Sequence, residues 1–289
     1  MANQRNNQIC NKILSQNGLT EFKALIEKWE TLSENLSDKP SGVPIILPDL
    51  FLVSRSGTGR THFLRLLSEY LEGKPNLMDF YGDVKYFEFM LNYCKPNEHF
   101  SEIQRFMTEI NNAAGFRSEY RGIVYVDVDE WREHFEEKHF VSFMEYLSDN
   151  SDDWLVVLSV SDDKQDLIQQ MEAFVSAYIR IERITIEPPT VQELTQYAKK
   201  LLEGYGITLI SQTEKVLSGS IGELSNNKYF DGYKTVKMLC EDIAYSLYID
   251  GFQSDMGGIP SDLSGFAKDS EYIQRMLVKI EKTKRIGFC

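Results

Sequence analysis

A short apolar run, Asp49 to Val53, leads directly into Ser54-Arg55-Ser56-Gly57-Thr58-Gly59-Arg60-Thr61 and then into His62 to Leu71, whose apolar residues recur at spacings of three and four. Strand, glycine turn and amphipathic helix in immediate succession form the setting in which proteins cradle phosphate. The glycines let consecutive N–H groups curl toward an anion, and the helix N-terminus adds its positive dipole end. Similar apolar runs follow at Tyr86 to Phe89, Ile123 to Val128, Leu155 to Val160 and Arg180 to Ile186, separated by helical stretches such as Phe100 to Ala113 and Phe140 to Leu147. That alternation predicts an α/β fold, a parallel sheet with helices on both faces.

Against the phosphate-loop pattern G-x-x-x-x-G-K-[ST], Ser54 replaces the first glycine and Arg60 replaces the lysine, while Gly59 and Thr61 match. Ser56, Gly57, Thr58, Gly59, Arg60 and Thr61 are therefore the candidate nucleotide-binding residues, with His62 beside them at the helix start. Arg60 keeps the positive charge but not the shape. An ammonium is a compact charge that follows β- and γ-phosphates, whereas a guanidinium is a planar fork with fixed donor directions. Binding can survive that exchange while hydrolysis suffers. Thr61 retains a hydroxyl able to complete a Mg²⁺ shell.

The run Gly122-Ile123-Val124-Tyr125-Val126-Asp127-Val128-Asp129-Glu130 ends in carboxylates. Such a strand end can hold Mg²⁺ through water, and a following glutamate can orient the attacking water. Two registers are open. With Asp127 as the metal carboxylate, the base position is Val128, which accepts no proton; with Asp129, Glu130 is the base. Strand length favours the first. His134 and His139 are five apart, which does not bring them onto one helical face, so they read as surface histidines rather than a zinc pair.

Composition narrows the partners. Forty-four acidic against 31 basic residues give a net charge of -13 over 289 residues, which repels a phosphate backbone and disfavours nucleic acid. Four scattered cysteines suggest a reducing compartment. The polar start and the lack of any apolar run near ~18 residues leave a cytoplasmic chain without a membrane segment as the expectation. At Glu187-Pro188-Pro189 the alternating pattern gives way to helical periodicity, opened by a capping box at Thr190 and Glu193 and followed by the stripe Val236, Leu239, Ile243 and Leu247. The expected organisation is a helical arm over 1–48, an α/β nucleotide-binding domain over 49–187 and a small all-helical lid over 188–289.

Taken together, the Gly57 to Thr61 loop, the Gly122 to Asp127 strand and the helical region after Pro189 resemble the AAA+ ATPase superfamily. The pattern is most similar to the CbxX/CfxQ group, which includes red-type rubisco activases and sporulation AAA+ proteins. Gly18-Leu19-Thr20-Glu21-Phe22-Lys23 looks like the opening signature of that group, Asp152-Asp153-Trp154 to Leu158 like the strand of its first sensor, and Phe230 to Val236 like its lid helix with the second sensor. The resemblance implies ATP or ADP with Mg²⁺ as ligands, Thr61 and Asp127 as metal-holding residues, and a protein partner or a homo- or hetero-oligomer as the working state. It also implies that every catalytic position is altered. Arg60 stands for the phosphate lysine, Val128 for the water-activating glutamate, Ser161 for the first polar sensor and Lys234 for the second-sensor arginine. Phe174 to Tyr178, which by the resemblance matches the segment that offers arginine fingers to a neighbouring subunit, contains no arginine. A finger is worth ~10³ to 10⁵ in rate, so weak or absent hydrolysis is expected.

The expected function is thus a nucleotide-binding regulatory or assembly protein. The alternative is an active ATPase that remodels protein substrates, with Glu130 as base. A third reading, a helicase loader or replication initiator, rests on the Gly59 to Phe63 run and meets the opposing net charge.

Overall fold

The computed structural model describes residues 9–14, 19–37, 47–55, 57–74, 77, 85–95, 101–112, 122–150, 154–227 and 230–249. Ser56, Gly18 and Asp152-Asp153 lie outside the described residues. Five strands, β1 (Asp49–Ser54), β2 (Lys85–Met90), β3 (Gly122–Asp127), β4 (Trp154–Val160) and β5 (Ile181–Ile186), form one sheet in the order β2-β3-β4-β1-β5. All four pairings are parallel.

Position in the sheet explains the strand sequences. β1 and β4 are buried at every residue and read as largely apolar runs. The edge strands KYFEFM and IERITI alternate instead, because one of their flanks meets water. The side-chain period of two divides the sheet into faces. Leu50, Leu52, Ile123, Tyr125, Leu155 and Val157 join one core with α1 (Thr20–Ser37) and α2 (Arg60–Glu72). Phe51, Val53, Val124, Val126, Val156 and Leu158 join another with α3 (Ser101–Ile110), α4 (Lys138–Asp149) and α5 (Gln165–Val175). Each such buried aliphatic contributes about 1.5 to 3 kcal/mol, so the two cores fix which strand residue faces which helix. The arm helix α1 belongs to the sheet. Phe22, Leu25, Ile26 and Trp29 are buried in its core, Glu21 accepts the Thr185 N–H of β5, and Lys28 pairs with Glu182 at 2.7 Å.

Three helices follow, α6 (Val191–Gly204), α7 (Ser211–Ser225) and α8 (Gly232–Ile249). Thr190 and Glu193 close the capping box reciprocally, and the stripe Val236, Leu239, Ile243 and Leu247 is buried in the helical core. The second of these helices, α7, runs unbroken through Gly219 and Gly222 to Ser225. Glycine costs a helix about 1 kcal/mol relative to alanine. Here Leu217, Ile221 and Leu224 are all buried against the neighbouring helices, which offsets that cost.

The chain forms two compact units, one of residues 1–55 and 60–187, the other of residues 56–59 and 188–289. The loop after β1 therefore groups with the helical unit, while the residue that follows it opens α2.

Candidate functional site

Gly57 and Gly59 both adopt positive φ, at 78° and 95°. In this left-handed region glycine alone is unstrained, so the loop needs both. At Gly57 there is a second requirement, since an added Cβ would lie 2.3 Å from the Asp231 carbonyl carbon and oxygen. Gly232, itself at φ 47°, would place a Cβ 2.2 Å from the Gly57 oxygen. These two glycines allow backbone to meet backbone, and the Tyr233 N–H donates to the Gly57 carbonyl at 3.1 Å. An otherwise unpaired donor at the start of α8 is thereby satisfied. The peptide is trans, so the Thr58 N–H points to the side opposite that carbonyl.

Within the sheet unit, Arg60 begins α2 on the face that displays Tyr125, Asp127 and Ser159. The register sets Asp127 directly beside Ser159, and Tyr125 lies two residues before Asp127 on the same strand face. Arg60 Nη1 reaches all three, donating to Asp127 Oδ2 at 2.8 Å, Tyr125 Oη at 2.9 Å and Ser159 Oγ at 3.3 Å. Burial opposes the guanidinium charge, but the adjacent Tyr125 and Asp127 outweigh it and hold its pKa above the ordinary value. Burial raises the Tyr125 phenol, with Arg60 and a hydrogen bond to Ser159 opposing. The cluster is a neutralised polar knot at the carboxyl end of the sheet.

The remaining candidates after β3 point elsewhere. Val128 is fully buried in the core of the opposite sheet face, as the alternation dictates. Asp129 accepts the Ser161 N–H at 2.7 Å and pairs with Arg132 at 2.9 Å, tying the ends of β3 and β4 together. Ser161 thus serves here through its backbone. Glu130 is exposed and accepts the Tyr93 N–H at 2.8 Å. Tyr93 follows β2, the edge strand beyond β3, so Glu130 is drawn to the flank away from β4 and β1.

Thr61 is exposed on the first turn of α2. His62 sits 2.9 Å from Arg65, and burial together with Arg65 and Lys12 lowers its pKa; it stays neutral near pH 7 and joins no part of the Arg60 cluster. Lys234 extends into solvent, 68% exposed, 3.8 Å from Asp231. Of the two histidines read as surface residues, His134 is half-buried and stacks on Tyr93 with ring centroids 4.0 Å apart. His139 is buried, with Cys94 Sγ 3.5 Å away, because it lies on the inward stripe of α4.

The residues do not fit a bound Mg²⁺. Both oxygens of Asp127 are engaged, Oδ2 by Arg60 and Oδ1 by the Asp129 N–H at 3.0 Å. A divalent ion there would meet a guanidinium rather than open oxygen ligands, and Mg²⁺ demands a near-ideal octahedron. Among the described residues no group of three His, Cys, Asp or Glu could hold a metal.

Tyr125 and Ser159 escaped the sequence reading. Their signal was present, since each is a hydroxyl in a strand that is otherwise apolar and inward-facing. Only the pairing of β3 with β4 puts the two beside Asp127.

No family model and no curated protein matches the sequence. Solved structures do. C. elegans PCH-2 matches over 89% of this chain and 69% of its own, at 13% identity and a TM-score of 0.54. The AAA domain of FIGL-1 in complex with ADP matches over 84% and 79%, at 14% identity and a TM-score of 0.47. Domain III of the Thermotoga maritima replication initiation protein DnaA covers 84% and 90%, at 11% identity and a TM-score of 0.45. The likeness to PCH-2 shows the fold: an α/β parallel sheet with helices on both faces and, later in the chain, a helical region.

Proposed function

We propose that this chain binds a nucleoside di- or triphosphate at the loop following β1 and hydrolyses it slowly or not at all, working as a regulatory or assembly protein through protein partners or further copies of itself. The observation that carries the reading is the state of Arg60. The residue at the lysine position of the phosphate loop is engaged with Asp127, while the next position, Val128, is buried in apolar core. A site in that condition keeps the glycine loop and a cation, while Val128 is buried and places no proton acceptor there. Glu130 does not supply one, being bonded to the chain after the edge strand. Slow turnover follows from chemistry, since orienting the attacking water and neutralising developing charge are most of what such a site contributes. The membership that fits these alterations is the CbxX/CfxQ group.

A nucleotide can regulate only through unequal affinity for two states of the chain. The Gly57 carbonyl bonded to the Tyr233 N–H is a contact whose making or breaking would distinguish such states.

Calorimetry with ATP and ADP, repeated on Thr61→Ala and Arg60→Ala, tests the reading alongside phosphate release by pure protein. Saturable binding lost in Arg60→Ala, with little phosphate released, is expected. Phosphate release at an ordinary AAA+ rate, or no binding of either nucleotide, sinks it.

A further inference from the structure

The way Arg60 is bonded leaves half of its guanidinium unused. Its three side-chain hydrogen bonds among the described residues, to Asp127, Tyr125 and Ser159, all leave from Nη1. Nε and Nη2 meet no acceptor among the described residues, and the side chain is 25% exposed. A guanidinium is a planar fork whose two outer edges each present a pair of parallel donors, the geometry that takes a phosphate oxygen pair. One side of the fork is thus anchored on the carboxylate at the end of β3, and the other is open at the first residue after the glycine loop.

We propose that Arg60 is the cation that joins Asp127 to the nucleotide phosphates, replacing a divalent metal as well as the lysine, so that the site takes nucleotide free of Mg²⁺. The inference rests on the nucleotide reading above. A divalent ion between a carboxylate and a phosphate screens their mutual repulsion and fixes their separation. An arginine with its Nη1 on Asp127 and its Nε and Nη2 on the phosphate does both, without dehydrating an ion that gives up water reluctantly. The neighbouring carboxylates cannot rebuild a metal site, because Asp129 is held by the Ser161 N–H and Arg132, and Glu130 by the Tyr93 N–H.

The decisive measurement is calorimetric titration of the full chain with ATP and with ADP, each in millimolar Mg²⁺ and in excess EDTA. Dissociation constants that agree within about threefold between the two conditions support the proposal. Binding that weakens about tenfold or more in EDTA overturns it and leaves the nucleotide reading standing. Absence of binding in both conditions overturns the two together. The substitution Arg60→Lys supplies a second arm. A single ammonium cannot hold Asp127 and a phosphate along two edges, so binding should become at least about tenfold dependent on Mg²⁺. An Arg60→Lys protein that is folded by circular dichroism and stays indifferent to Mg²⁺ assigns no bridging role to the guanidinium and overturns the proposal.

Discussion

Two carboxylates, Asp127 and Asp49, stand at opposite ends of the same parallel sheet, and they are treated in opposite ways. Asp127 closes β3 at its carboxyl end and meets a guanidinium, a phenol and a hydroxyl around it through Arg60. Asp49 opens β1 at the amino end, 5% exposed, where its Oδ1 accepts the Val156 N–H at 2.7 Å and, among the described residues, no cation pairs with it. Burial pushes Asp49 up to about 7, with the single backbone hydrogen bond pulling the other way. The contrast shows where this fold spends its polar residues. Crossover helices bring their amino ends, and with them Arg60, to the carboxyl end of the strands, whereas at the amino end, among the described residues, the Asp49 carboxylate meets a backbone N–H and no cation.

The largest effect is expected at Asp49. Its folded pKa of about 7 lies above the unfolded carboxylate value, so between the two the folded chain binds the extra proton. Stability therefore falls as pH rises from about 4 to 7 and is level above. Asp49→Asn, which keeps the acceptor and does not titrate, should stabilise the sheet unit by on the order of 3 kcal/mol at pH 8 and by almost nothing at pH 4. Urea unfolding at both pH values checks this, and a gain independent of pH contradicts it.

Arg60→Ala comes next. It strands Asp127, whose side chain is 17% exposed, and should cost about 2 kcal/mol, with the Arg60→Ala/Asp127→Ala double variant recovering much of the loss in a denaturation cycle. A loss in the double variant equal to the sum of the two single losses would mean that the pair is not coupled. Tyr125→Phe removes one acceptor from Arg60 and should cost about 1 kcal/mol by the same measurement. Smallest of all is Glu130→Gln. An amide oxygen can still accept the Tyr93 N–H, so stability and any residual phosphate release should be unchanged; a variant that traps ATP would restore the glutamate as a base.

Much of the architecture was legible because burial writes itself into sequence. Leu50 to Val53 and Leu155 to Val160 read as strands since both faces of a central strand are covered, and the glycines at 57 and 59 read as a turn because no other residue is unstrained there. Local propensity does not foretell that α7 continues through Gly219 and Gly222, where packing overrides it. His139 was read as a surface residue for a related reason, since its burial follows from which stripe of α4 faces the sheet.

The sequence alone determined that Arg60 follows a glycine loop, that Asp127 ends an apolar strand and that Val128 offers no base. These are properties of neighbours along the chain. What joins Arg60 to Asp127, Tyr125 and Ser159, and turns Glu130 toward Tyr93, is the strand order β2-β3-β4-β1-β5 together with the parallel register. Charges 67 positions apart meet only when non-local pairing brings their strands and helices side by side, and no pattern of local spacing encodes that choice.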